Sequence, residues 1–238
     1  MVLLGPLFYY SSDEEEEEEK QEEEEDIHTS ERHDLTTNHL TRIFNVTFFG
    51  KSITTTVTSK PSEIRKWIYS SLYYSRRNRH NLVVGLGVQW FPNTYGSDND
   101  PAETLQICIG TGCLIIQLTH TPYVPKILRR FLANEKITFV GIWNYCDNSK
   151  LMKSEHQLFV SRLINLSEFG IQKESSSGSM ENLVRAHLGF NGVRKDGNIG
   201  RSNWNAKNLS VDQVQYATVD AHASFEIGKK LGAWRFED

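Results

Sequence analysis

LVVGLGVQWFPNTYGSDNDPAETLQICIGTGCLIIQL, residues 82 to 118, decides the architecture. Leu82 to Trp90 is an apolar run. Successive side chains of an extended chain point to opposite faces, so its second half puts Leu86, Val88 and Trp90 on one side and Gly87 and Gln89 on the other. That predicts a central strand with one face able to carry polar groups. FPNTYGSDNDP is turn chemistry throughout. Thr104 to Ile109 and Cys113 to Leu118 then flank Gly110-Thr111-Gly112 and read as a hairpin, so three consecutive antiparallel strands are implied.

Upstream, Ile43 to Phe49 alternates apolar and polar positions, Gly50-Lys51 supplies a turn, and Ile53 to Thr58 is β-branched, which predicts another hairpin. Pro61 suits a first helical turn, and Ile64, Trp67, Ile68 and Leu72 follow at helical spacing, giving a helix over about 61 to 75. It runs into a basic patch, Arg76, Arg77, Arg79 and His80. Downstream the period alternates: helix at Val124 to Leu132, buried strand at Ile137 to Ile142, helix at Asn148 to Gln157, then a strand or half-helix at Leu158 to Leu166. ESSSGS at 174 to 179 reads as a loop and Met180 to Leu188 as a helix. After the basic, Gly-rich segment GVRKDGNIGR, Ser210 with Gln213 three residues on forms a capping box that opens the last helix. Strands first, then alternating helices and strands, make an α/β domain over residues 40 to 233: a mixed sheet flanked by helices, with 234 to 238 as a C-terminal tail.

The 238-residue chain carries a formal charge of −4, but residues 13 to 26 (DEEEEEEKQEEEED) hold 12 of its 30 acids and one of its 26 Lys and Arg. Without that run, 25 basic residues face 18 acidic ones. A basic domain favours nucleic acid or another anion as partner. The acidic run has no apolar periodicity and repels itself, so residues 1 to 39 are expected to be a disordered tail, either solubilising or a polyanion mimic that competes for the basic surface. Three cysteines, Cys108, Cys113 and Cys146, are too few and too odd for a disulfide framework; the first two sit in apolar runs and read as buried thiols rather than zinc ligands. MVLLGPLFYY is about half the ~20 residues that span a bilayer and lacks a basic leader, so no membrane association and a cytoplasmic or nuclear location are expected.

Tyr216 and Asp220, four apart, share a helix face, a spacing found on any amphipathic helix. The surrounding segment, LSVDQVQYATVDAHASFEIGKKL at 209 to 231, resembles the third motif of DEDD-type 3′-5′ exonucleases of the tyrosine-containing subclass. FVGIWNYCDNSKL at 139 to 151 resembles the second motif and maps its aspartate to Asp147, while NLVVGLGVQW at 81 to 90 occupies the place of the first. The order and span, about residues 43 to 232, are similar to those of the Werner-syndrome-like exonucleases of plants, and VVGLGVQW with FVGIWN to the branch that includes the RISC-interacting clearing exoribonucleases.

The resemblance implies a ribonuclease-H-like, DnaQ-like fold and hydrolysis of single-stranded nucleic acid, RNA rather than DNA, by a homo-hexamer using Mg²⁺ or Mn²⁺. It implies Asp147 and Asp220 as metal ligands and Tyr216 as the residue that orients or deprotonates water. The family holds two ions with four carboxylates, two of them in the first motif, where this chain has Gly87 and Gln89. Asp98, Asp100 and Glu103, or a neighbouring subunit, are the available replacements. Substrate contact falls to Gly87, Gln89 and Trp90 on the central strand and to Arg76, Arg77, Arg79, Arg194 and Lys195 along the phosphates, with Trp90 and Trp143 available to stack bases. A second function class stays open: a catalytically silent exonuclease fold that serves as a nucleic-acid-binding or oligomer scaffold.

Overall fold

The computed structural model describes residues 26–32, 40–92, 100–169 and 178–236. One eight-stranded sheet organises them. Its strands are β1 (Ile27–Arg32), β2 (Thr41–Phe48), β3 (Lys51–Thr58), β4 (Leu82–Gln89), β5 (Thr104–Ile109), β6 (Gly112–Gln117), β7 (Ile137–Gly141) and β8 (Leu163–Asn165), in the order β1-β2-β3-β6-β5-β4-β7-β8. β1-β2-β3 and β6-β5-β4 are antiparallel runs, while β3 joins β6, and β4, β7 and β8 join one another, in parallel. The fold is therefore the mixed α/β sheet expected. β4 lies inside it between β5 and β7, and every one of its residues is buried.

The helices cover both faces. α1 (Pro61–Tyr74) and α2 (Lys126–Leu132) pack Ile64, Ile68, Leu128 and Phe131 against Leu86 and Val88. α3 (Asp147–Lys153) follows β7, and α4 (Met180–Leu188) and the single turn α5 (Gly197–Gly200) lead to α6 (Val211–Leu231) on the opposite face. The capping box forms as expected, with Gln213 N–H donating to Ser210 Oγ at 3.1 Å and Ser210 N–H to Gln213 Oε1 at 2.9 Å. Two glycines let α6 press onto the sheet. A Cβ on Gly85 would stand 1.9 Å from the Ala221 carbonyl oxygen, and one on Gly228 would stand 2.8 Å from Val140 Cγ2. This close approach carries the middle of α6 over β4.

Several boundaries differ from those read in the sequence. The sheet does not begin at residue 40, because Ile27–Arg32 pairs with β2 as an edge strand, fixed by the Arg42–Glu31 ion pair at 2.7 Å and by Thr29 donating to Gln215 at 2.9 Å. Its alternation, Ile27, Thr29, Glu31, is short and is masked by the adjoining glutamates. Residues 1–25 and 33–39, and with them most of the acidic run, lie outside the described residues. Residues 234 to 236 of the expected C-terminal tail are packed: Ala233–Arg235 form a 3₁₀ turn, and Phe236 stacks on Phe169 with ring centroids 4.4 Å apart, while 237 and 238 lie outside the described residues. The hairpin between β2 and β3 turns one residue earlier than expected, through Phe49 and Gly50 at φ +44° and +72°, the pair of left-handed residues a tight hairpin uses. α3 stops at Lys153 rather than Gln157, since Leu158 and Val160 must enter the core from extended chain. Of 158 to 166, only Leu163–Asn165 is strand. No helix among the described residues is long and apolar enough to cross a membrane.

Candidate active site

Asp220 stands near the middle of α6, 6% exposed, above the C-terminal half of β4. A Cβ at Gly87 would lie 3.2 Å from Asp220 Oδ2, and Gln89 Nε2 donates to the same oxygen at 3.4 Å. Both positions where the sequence resemblance calls for carboxylates thus face Asp220. The space a side chain at 87 would fill is taken by Gln106, which opposes Gly87 across β4–β5 and places Oε1 3.0 Å from that Cβ position. Gln106 Oε1 is buried without a hydrogen-bond partner, while its Nε2 donates to Thr104 Oγ1 at 2.6 Å.

Asp147 reaches the same site from the other side of β4. Its position depends on the turn after β7, where Gly141 has no room for a side chain: a Cβ would stand 2.9 Å from both the Leu86 carbonyl oxygen and Asn144 Nδ2. Trp143 takes φ +58°, its N–H held by Asn165 Oδ1 at 3.1 Å, and Asn144 Nδ2 donates to the Ile164 carbonyl at 2.9 Å. With the turn anchored to β8, α3 opens on Asp147, which is buried. Burial holds its carboxyl well above the ordinary carboxylate range and the neighbouring Asp220 raises it further, against the opposing pull of Lys195 and Lys150.

The segment before α5 supplies the cation. Lys195 Nζ lies 2.6 Å from Asp220 Oδ1 and 5.5 Å from the centre of the Tyr216 ring. Packing around the ammonium lowers its affinity for the proton, although 32% of the side chain stays exposed, and Asp220, Tyr216 and Asp147 outweigh that and hold it above its usual range. Tyr216, one turn before Asp220, sits over Gly200, where a Cβ would be 2.7 Å from the phenol oxygen. Burial raises the phenol above its ordinary value and Asp220 and Asp196 add to this, while Lys195 opposes; Tyr216 is thus kept as a hydrogen-bond donor. A cleft of about 900 Å³ opens beside Tyr216 and Lys195 and includes the exposed Arg194.

Asp147, Tyr216, Asp220, Gly87, Gln89 and Lys195 are therefore brought together. Trp90 lies one residue past β4, half-buried, with Lys150 Nζ 4.1 Å over its ring. Arg76 and Arg77 are elsewhere: the 3₁₀ helix Arg76–Asn81 enters β4 at its first residue, roughly 25 Å of strand from Gln89. Arg76 covers the Tyr73 ring at 4.2 Å, and the Arg79 side chain is outside what the structure describes. Asp98 is also outside; Glu103 is held above the ordinary carboxylate range by burial and, less, by Asp100, and no group of three acids, histidines or cysteines that could hold a metal occurs among the described residues. The sequence reading missed Gln106 and Lys150. Gln106 alternates out of the apolar TLQICI run toward α6, a visible signal, but its register opposite Gly87 is a tertiary fact.

The mixed sheet flanked by helices is the ribonuclease-H-like fold of known 3′-5′ exonuclease domains. It matches the catalytic core of RRP6 from Trypanosoma brucei (C496S mutant) and Escherichia coli RNase D. Each has a TM-score of 0.59 at 15% identity over 75% of this chain, and 46% and 44% of the respective structures are covered. The chain belongs to the 3′-5′ exonuclease family, whose sequence model matches residues 92–233 and so begins just beyond the strand that lacks the two carboxylates. Among relatives, it is 27% identical over 150 residues to the Drosophila melanogaster exonuclease 3′-5′ domain-containing protein 2, covering 63% of this chain and 25% of that protein. It is 28% identical over 153 residues to the bifunctional 3′-5′ exonuclease/ATP-dependent helicase WRN of Mus musculus, covering 63% of this chain and 11% of that protein. An Arabidopsis thaliana 3′-5′ exonuclease is 26% identical over 199 residues, 80% of this chain and 67% of the relative.

Proposed function

We propose that this chain removes nucleotides from the 3′ end of single-stranded RNA with the help of one divalent cation. What supports the reading is the convergence of Asp147, Tyr216 and Asp220 above the end of β4, within a fold that serves this chemistry elsewhere. The donors fit one Mg²⁺ or Mn²⁺. Mg²⁺ is commonly held by one or two carboxylates, with waters and substrate phosphate completing its octahedron. Asp147 and Asp220 are the two carboxylates, and Gln106 Oε1, buried and unpartnered, is a neutral oxygen that borders the Gly87 position together with Asp220 Oδ2. They do not fit two ions, which need the acids absent at 87 and 89. When bound, the ion would polarise the scissile phosphate.

The protein's own groups do the rest. Lys195 and Arg194 attract the phosphates, the exposed Trp143 and Tyr145 flank the Asp147 turn where bases could stack, and the Tyr216 hydroxyl orients the attacking water. Water oxygen bonds to phosphorus, the bond to the 3′ oxygen of the preceding nucleotide breaks, and that oxygen takes a proton. A 5′-mononucleotide leaves and the strand keeps a 3′ hydroxyl. RNA is favoured over DNA, and a homo-hexameric particle over a monomer, by the resemblance to the plant clearing exoribonucleases alone.

The test supplies purified protein with RNA and DNA oligomers, 3′-free or 3′-blocked, and Mn²⁺ or EDTA, with light scattering to read its assembly. Stepwise loss from free 3′ ends of RNA, dependent on Mn²⁺ and absent from Asp220→Asn, is expected. Retained binding without release of mononucleotides under any ion would select the silent scaffold instead.

A further inference from the structure

The two missing carboxylates are matched by a cation that a two-ion site has no room for. The ammonium of Lys195 touches Asp220 Oδ1 at 2.6 Å, while the amides of Gln89 and Gln106 occupy the side of Asp220 that faces β4. Lys195 is held there by more than one contact: its Nζ also lies over the Tyr216 ring, and Val193, two residues earlier, is buried in the core. Two carboxylates and one ammonium make a site no more negative than −1, and closer to neutral where Asp147 keeps its proton, whereas four ionised carboxylates alone would make one of −4. A site that keeps its own positive charge has little electrostatic need for a second divalent ion.

We propose that the Lys195 ammonium is a resident counter-charge standing in for one of the two metal ions of the family's site, so that this chain loads at most one divalent cation and Lys195 competes for its ligand Asp220. The inference rests on the placement of the ion between Asp147 and Asp220 proposed above, and deepens it. Lys195 then has two effects: it weakens the binding of free metal, and it lets the site attract a phosphate before any metal arrives.

Mn²⁺ titration of the full-length protein, followed by calorimetry and by the loss of free-ion electron paramagnetic resonance signal, tests this without requiring turnover. The wild type should bind no more than one ion per chain, weakly. Lys195→Met, which preserves the length of the side chain and much of its packing, should bind Mn²⁺ at least tenfold more tightly or take up a second ion, and should lose severalfold in affinity for RNA measured in EDTA. Lys195→Arg should stay within about threefold of wild type in both. Thermal melts of each variant establish that it is folded. Two ions on the wild type, or identical Mn²⁺ binding by wild type and Lys195→Met, overturns the proposal. Failure of the wild type to digest RNA would count against the hydrolytic reading and leave the titration result legible.

Discussion

Placing acids at the two first-motif positions, Gly87→Asp with Gln89→Glu, should turn a fold whose stability responds little to metal into one whose stability depends on it. The Cβ position of residue 87 is 3.2 Å from Asp220 Oδ2, and the side-chain nitrogen of residue 89 is 3.4 Å from it, so both new carboxylates would lie within about 4 Å of Asp220. Each like-charge pair at ~4 Å costs about 4 kcal/mol at an effective dielectric of ~20, so the two new pairs with Asp220 cost about 8 kcal/mol before relief. Proton uptake and Lys195 relieve most of that, leaving a net cost of about 3 kcal/mol in the metal-free state. For a domain of this size, 1 kcal/mol moves Tm by ~2–4 °C, so the double variant should melt roughly 6–12 °C below wild type in EDTA. Mn²⁺ at a hundred times its Kd returns about 2.7 kcal/mol and nearly closes the gap. Gln106 Oε1, 3.0 Å from the new Cβ, is the end of a flexible side chain and can move aside. Differential scanning fluorimetry in EDTA and in Mn²⁺ reads both effects. If the variant melts with wild type in EDTA and gains no more from Mn²⁺, positions 87 and 89 do not face Asp220 and the site geometry is wrong.

Tyr216→Phe should lower the rate of nucleotide release by about 10²-fold while leaving RNA affinity within a factor of two, because it removes one positioned hydroxyl and no charge; an equal fall in affinity would show that Tyr216 binds rather than orients. Gly85→Ala puts a methyl 1.9 Å from the Ala221 carbonyl oxygen, an overlap that forces α6 off β4; a loss of about 3 kcal/mol or more in urea unfolding is expected, and a near-neutral result would contradict the helix–strand approach. His222 is held neutral, its pKa lowered to about 4 by burial and further by Lys51, against the pull of Glu226. The unfolded chain protonates near 6.5, so the stability present above pH 6.5 is lost as pH falls toward 4, on the order of 3 kcal/mol, and His222→Asn should flatten that limb of the stability–pH curve. Asp147 works in the opposite sense. Its raised pKa means that stability declines as pH rises from about the unfolded value through the folded one, and Asp147→Asn should be the more stable protein at pH 7 by chemical denaturation.

Much of the fold was legible because its cues are local. The alternation in β4, the two hairpin turns, Pro61 at a helix start and the Ser210–Gln213 box each act within a few residues, and each places its element. β1 was not legible: six residues of weak alternation beside a run of glutamates become a strand only when β2 offers an edge and Arg42 a partner for Glu31. The same division holds at the site. Tyr216, Asp220 and Asp147 were picked out by the resemblance of their segments to exonuclease motifs, and the structure brings the three close to one another. Gln106 could not, since its relevance comes from lying opposite Gly87 in the β4–β5 register, and neither could the pairing of Lys195 with Asp220. The arginines at 76 and 77 show the converse error. Closeness to β4 in sequence placed them at the wrong end of the strand, because a strand's two ends lie as far apart as its length.

Charge, rather than any single residue, ties these observations together. A four-carboxylate site is strained without metal, and its fold must be stabilised around that repulsion. Here glycine and glutamine remove two of the negative charges from β4, a lysine approaches the third, and Lys150, fixed between the Asp100 carbonyl at 3.2 Å and the Trp90 ring, pulls on the fourth position, Asp147. Each change alone would leave a defect: glycine and glutamine without Lys195 would leave Asp220 and Asp147 unbalanced under burial, and Lys195 beside four acids would compete with two well-held ions. On the proposed reading, together they let the site stand empty of metal, so that a nucleic-acid end is captured first and the cation is recruited afterwards by the phosphate it brings.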